Sequence, residues 1–156
     1  MTDSLQYLFL AGLGKPLQID GRTVVQMDRW ELESGVEAEI VFLGDKPFCD
    51  NAAAIAIDRP GMILLSDGRP AKAVAIWDEP GLPRTVIHRV ENAGRPLKIY
   101  NKYRTRHAPD FITEDSFTGN AGMVVTEVSA SCRRYECSNG PGPFSPDDLV
   151  FEVRVR

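Results

Sequence analysis

The chain has 156 residues, 43% of them apolar and 26% charged, a balance that suits one globular domain and excludes an intrinsically disordered chain. Its 22 acidic and 18 basic residues leave a net charge of −4, which excludes the excess of Lys and Arg that general nucleic-acid affinity requires. The apolar run from Leu8 to Leu13 is broken by Gly12 and is far too short to cross a bilayer, so no membrane association is expected.

The first residues, Met1-Thr2-Asp3-Ser4, lack a basic segment ahead of an apolar one, so no secretory signal is expected. Three cysteines, an odd number, fit a reducing compartment and a cytoplasmic setting. Cys132 and Cys137 stand five positions apart and fall on opposite faces of a regular strand. Free thiols are expected there, since a bridge would need a bulge or turn between them.

Taken in chain order, Ser4 to Leu10 suits a short amphipathic helix as well as a strand, and Gly12, Gly14 and Pro16 end it. Asp20-Gly21, between Leu17-Gln18-Ile19 and Thr23-Val24-Val25, predicts a hairpin. After Ser34-Gly35, the residues Val36, Ala38, Ile40 and Phe42 share one strand face and Glu37 and Glu39 the other. Gly44-Asp45-Lys46-Pro47 is a turn, and the alanine-rich Asn51 to Ile57 suits one turn of helix. Arg59-Pro60-Gly61 and Asp67-Gly68-Arg69-Pro70 are further turns. Ala71 to Trp77, apolar on both faces apart from Lys72, predicts a central strand covered on both sides.

Beyond Glu79-Pro80-Gly81-Leu82-Pro83, the residues Val86, His88 and Val90 alternate with Thr85, Ile87, Arg89 and Glu91 up to the turn Asn92-Ala93-Gly94-Arg95-Pro96. Asn139 to Pro146 reads as a long turn in which Phe144 closes the core, with a partner-contacting loop as the alternative. The last run sets Phe151, Val153 and Val155 against Glu152, Arg154 and Arg156.

About nine to eleven strands at this spacing predict an all-β fold, a single domain over residues 1–156. The expected architecture is a two-sheet antiparallel sandwich of jelly-roll type or a small barrel, with helix confined to short pieces. Its expected core contains Val36, Ile40, Phe42, Val74, Ile76, Ile99, Val125, Phe151 and Val153.

No phosphate loop, paired-histidine helix, clustered CxxC pair or GxSxG elbow is present, so no motif assigns a reaction. His88 lies on an apolar strand face and reads as a core or rim histidine with one hydrogen bond. His107 falls in the irregular stretch Arg104 to Asp110, where Asp110 is near enough to orient its ring. Tyr100 to Arg106 interleaves aromatic rings with cations, which reads either as a strand whose outward Lys98, Tyr100 and Lys102 serve solubility or as a stacking and anion-holding surface.

Asp110, Glu114 and Asp115 ahead of Thr118-Gly119-Asn120 are suitable cation ligands, but their spacing is not that of an EF-hand, and no metal or cofactor is expected. Cys49 has no adjacent histidine and reads as a buried structural thiol. Trp77 is either a core residue or a platform at a strand end.

The expected function is therefore non-catalytic binding of a partner protein or small polar ligand through Trp77, Tyr100, Tyr103, Arg104, Arg106, His107 and Asp110. The alternative is a small β-barrel hydrolase or isomerase using His88 or His107 with Asp110 or a nearby glutamate. Convergence of both histidines, Asp110 and a tyrosine in one concavity favours the enzyme; scatter with a flat aromatic and basic patch favours recognition.

Overall fold

The computed structural model describes residues 3–33, 35–45 and 50–156, with the side chain of Asp45 excluded. Among them are one short helix and fourteen strands. The N-terminal segment resolves as helix α1, Leu5–Ala11, because Ser4 caps it: its hydroxyl accepts from the Tyr7 amide at 3.3 Å. Leu5 and Phe9, one turn apart, are its buried residues and pack with Val24. Strands β1 (Leu17–Ile19) and β2 (Arg22–Val24) form the hairpin that Asp20-Gly21 predicts. Asp20 and Gly21 have φ of 51° and 76°, the pair of positive angles that a two-residue type I′ connection needs.

The remaining strands form two open antiparallel sheets. Five belong to one: β11 (Phe111–Asp115), β10 (Leu97–Ala108), β5 (Asn51–Ala56) and β8 (Ala73–Asp78) in spatial order, with β3 (Asp28–Trp30) also on β10. Seven belong to the other, in the order β12 (Gly122–Ser129), β13 (Cys132–Ser138), β14 (Leu149–Val155), β4 (Val36–Asp45), β9 (Thr85–Glu91), β6 (Met62–Leu64) and β7 (Pro70–Ala71). Neither sheet closes on itself, so the sandwich is realised and the barrel is not.

Alternation fixes which side chains lie between the sheets. Val36, Ala38, Ile40 and Phe42 of β4 are buried, whereas Glu37 is exposed. Of the expected core, Val36, Ile40, Phe42, Ile76, Ile99, Phe151 and Val153 are buried, and Val74 and Val125 pack half-buried against them. Phe144 packs half-buried on the smaller cluster beneath α1, so the Asn139 to Pro146 segment serves as a core-closing turn.

Two expectations exchange places. Ala71 to Trp77 is not one central strand; it divides at Lys72 into β7 and β8, each at the edge of a different sheet. Its alanines account for the misreading, because Ala73 is exposed and Ala75 half-buried at little cost to so small a side chain. The strand covered on both faces is β5, where helix was expected: Asn51 to Ile55 are all buried. Tertiary pairing overrides alanine's helical preference here. In register, Ala52 lies between Lys102 and Trp77, so long neighbours flank a methyl group.

Cys132 and Cys137 are free and buried, and burial pushes both thiols above their ordinary pKa. Cys49 and part of the Gly44 to Pro47 turn lie outside the described residues.

The outward row of β14 departs from simple solvation, since Glu152 is 4% exposed. Arg134 donates to one of its oxygens through Nε at 2.9 Å and Nη2 at 2.8 Å, and Arg154 Nη2 donates to the other at 2.9 Å. The two arginine side chains are themselves about half exposed, so the carboxylate is shut from water while its partners are not. The Arg154 hydrogen bond, reinforced by Arg134, holds the Glu152 carboxyl below the usual range despite its burial.

A depressed native pKa contributes stability above the unfolded-state value and loses it as pH falls through the folded one. Glu152→Gln is therefore expected to melt lower than wild type at neutral pH, with the two melting curves converging as acid protonates the wild-type carboxyl. Melting temperature measured against pH for both proteins tests this; a gap that persists unchanged into acid contradicts it.

Candidate functional site

Strand β10 presents two different faces. Leu97, Ile99, Asn101 and Tyr103 are buried, while Lys98, Tyr100, Lys102 and Arg104 are half-buried on the other side. Tyr103 is only 1% exposed, which removes it from the surface expected to contact a ligand. Its hydroxyl bonds the Thr118 hydroxyl and accepts from the Thr118 amide at 3.2 Å, tying β10 to the segment before β12. Burial raises its pKa, so the phenol serves as a structural hydrogen-bonding group.

On the outer face the sequence-selected Trp77 and Arg104 meet. The guanidinium carbon of Arg104 lies 3.9 Å from the Trp77 ring centroid, a cation–π stack. Arg104 Nη1 also bonds Glu79 and lies 3.8 Å from Asp50, and its Nε is 3.9 Å from Glu114. One arginine thus gathers three carboxylates from three segments over an indole. Tyr100 stands farther along the same row with its ring centroid 5.0 Å from that of Phe117.

The stretch from Arg104 onward was expected to be irregular, but it continues β10 to Ala108, and only Pro109 and Asp110 form the turn to β11. The sequence hides this because Arg106 and His107 are both exposed, so apolar alternation is lost although strand pairing persists. His107 Nε2 is 2.8 Å from the Thr113 hydroxyl, which donates to Asp115 at 2.7 Å. Thr113 must then accept from the imidazole, placing the proton on Nε2. Hydroxyl bonds from Thr113 and Thr105, with the nearby His107, hold Asp115 below the usual carboxylate range.

This arrangement orients the ring without activating a nucleophile, because the threonine proton already points at the carboxylate. Asp110, the expected orienting group, is exposed in the turn and makes no hydrogen bond to His107 among the described residues. Arg106 Nη1 donates to the Pro109 carbonyl at 2.9 Å.

His88 belongs to the other sheet, buried on β9, with Nδ1 3.2 Å from the Leu64 carbonyl. The two histidines therefore sit on different sheets with unrelated partners. Glu114 faces Arg104, and Asn120 is occupied by the Leu5 amide at 3.1 Å and the Gly142 carbonyl at 2.7 Å. Among the described residues no three His, Cys, Asp or Glu side chains are grouped to hold a metal.

Phe111 and Ile112, 56% and 43% exposed, belong to no motif that the sequence displays. They open the edge strand β11, and the Phe111 ring lies against His107 with centroids 4.9 Å apart. Their signal is an apolar pair immediately after a Pro-Asp turn, where an inward-facing strand would have alternated. Comparisons with protein-family models, with curated proteins and with solved structures find no match to this chain.

Proposed function

We propose that this domain is a non-catalytic recognition module that engages a partner protein through the β10–β11 hairpin and the adjoining outer sheet face. The observation that carries this reading is the exposed Phe111–Ile112 pair at a sheet edge, beside His107 and Arg106 and within the same sheet as the Trp77–Arg104 stack. An edge strand offers unpaired backbone groups for strand addition, and aromatic and arginine side chains supply contact area with directional donors. The separation of His88 from His107 supports recognition over turnover. A cytoplasmic setting belongs to the same reading, supported by two buried free thiols. Among the described residues no helix is long and apolar enough to cross a membrane.

The test pairs His107→Ala with Phe111→Ala. Both residues are exposed, so stability is expected to stay within about 0.5 kcal/mol of wild type. Quantitative affinity capture from the native cell is expected to lose its specific partner by roughly tenfold or more, the effect of removing about 1.4 kcal/mol of binding energy. Equal recovery by wild type and the folded variant would sink the proposal.

A further inference from the structure

The opposite lateral edge of the five-stranded sheet, remote in pairing order from β11, carries a different feature. There the chain crosses between the sheets twice: β7 passes through Lys72 into β8, and β5 passes through Ile57 to Gly61 into β6. The Ile57 amide donates to the Lys72 carbonyl at 2.8 Å and binds the two crossings together. Between them lies a solvent-open depression of about 440 Å³, a volume within the range of small-molecule sites.

Its walls are largely apolar. Pro60 and Met62 come from one crossing, and Pro70 and Ala71 from the other. The walls are built by the backbone, since Ile63 pairs with Ala71 and Leu64 with Pro70. Gly61 lies close against its support: a Cβ there would stand 2.8 Å from the Ile57 side chain and 2.9 Å from the Asn92 carbonyl. Two cations, Arg59 and Lys72, complete the lining, and no carboxylate shares it. Among the described residues neither cation forms an ion pair, whereas Asp58, adjacent to Arg59, is engaged by Lys98 at 2.9 Å.

We infer that this corner binds a small organic anion, a carboxylate carried on a compact apolar body. The proline, methionine and alanine walls cover one side of the body. The arginine fork and the lysine ammonium take the charge, and no carboxylate shares the lining with them. A neutral ligand of equal shape gains only the apolar part. This site is independent of the hairpin.

The probe is 3-phenylpropanoate titrated into ¹⁵N-labelled protein, with the neutral 3-phenylpropanamide in parallel. Saturable amide shifts are expected at Gly61, Met62, Ala71 and Lys72, with the acid binding about fivefold tighter than the amide, the upper range of one exposed ion pair. Arg59→Ala with Lys72→Ala, both exposed positions, is expected to keep the melting temperature and bring the acid to the affinity of the amide. The hairpin variant His107→Ala, Phe111→Ala is expected to bind the acid unchanged. Shifts that map elsewhere, equal binding of acid and amide, a charge preference that survives the double substitution, or no saturable shift at all would each overturn the inference.

Discussion

Asp28→Ala is expected to destabilise the fold by about 3–5 kcal/mol, the effect of removing one partner from a largely buried ion pair. One oxygen of Asp28 accepts from Arg133 Nη1 at 2.9 Å and from the Tyr135 hydroxyl at 2.7 Å. The Asp28 and Arg133 side chains are 16% and 18% exposed, and Tyr135 is fully buried. The bond crosses the sandwich, from β3 of the five-stranded sheet to β13 of the seven-stranded one.

Burial, with the Asp28 carboxylate beside it, pushes the Tyr135 phenol well above its ordinary pKa, so it remains a donor at every accessible pH. Alanine at position 28 would leave that donor without its acceptor and the guanidinium with only the exposed Glu127, which its Nη2 meets at 3.3 Å. Arg133 also stacks on Trp30 at 4.5 Å, so the charge is held in place and cannot readily swing into water.

The mechanism separates from simple loss of packing by a second substitution. Arg133→Leu added to Asp28→Ala is expected to recover part of the loss, because the double variant buries no orphaned charge. Urea denaturation of the two single variants and the double gives the coupling. A loss under about 1 kcal/mol for Asp28→Ala would place the pair with ordinary solvated surface bridges.

Nothing in the sequence pointed to this bridge. Asp28 and Arg133 lie 105 positions apart, and a short strand such as Asp28–Trp30 offers too few residues for periodicity to register. Local information was strongest where one face is buried and the other wet. The long alternation in Val36 to Phe42 and Thr85 to Glu91 was legible for that reason, as was the Asp20-Gly21 hairpin, whose φ angles follow from its residues.

Legibility failed where that contrast vanished. Asn51–Ala56 is buried on both faces with small side chains and looks helical; Arg106 and His107 are both exposed and look like a loop. The candidate site was half legible for the same reason. Composition drew attention to Trp77, Tyr100, Arg104 and His107, but strand parity sent Tyr103 inward, and the pairing with β11 brought Phe111 beside His107. Parity follows from knowing where β10 runs; cross-strand partners follow only from the sheet order.

Phe151→Ala is expected to destabilise by about 3–5 kcal/mol and, for a chain of this length, to lower the melting temperature by roughly 6–20 °C. Phe151 is fully buried on β14, with β13 and β4 hydrogen-bonded on either side. Its ring stacks on Tyr135 with centroids 5.0 Å apart and meets the edge of Phe42 at 6.5 Å. Two terms add: the transfer energy of the lost ring, and the cavity that remains because paired strands on both sides resist collapse.

The aromatic geometry contributes about 0.5–1.5 kcal/mol beyond area, so Phe151→Leu should show a smaller loss than Phe151→Ala while still falling below wild type. Val128→Ala, at a position 49% exposed on the edge strand β12, serves as the control and is expected to stay within about 0.5 kcal/mol. Chemical denaturation of the three variants ranks them. A Phe151→Ala loss no larger than that of the control would remove β14 from the centre of the sandwich, and with it the register that buries Glu152 between its two arginines.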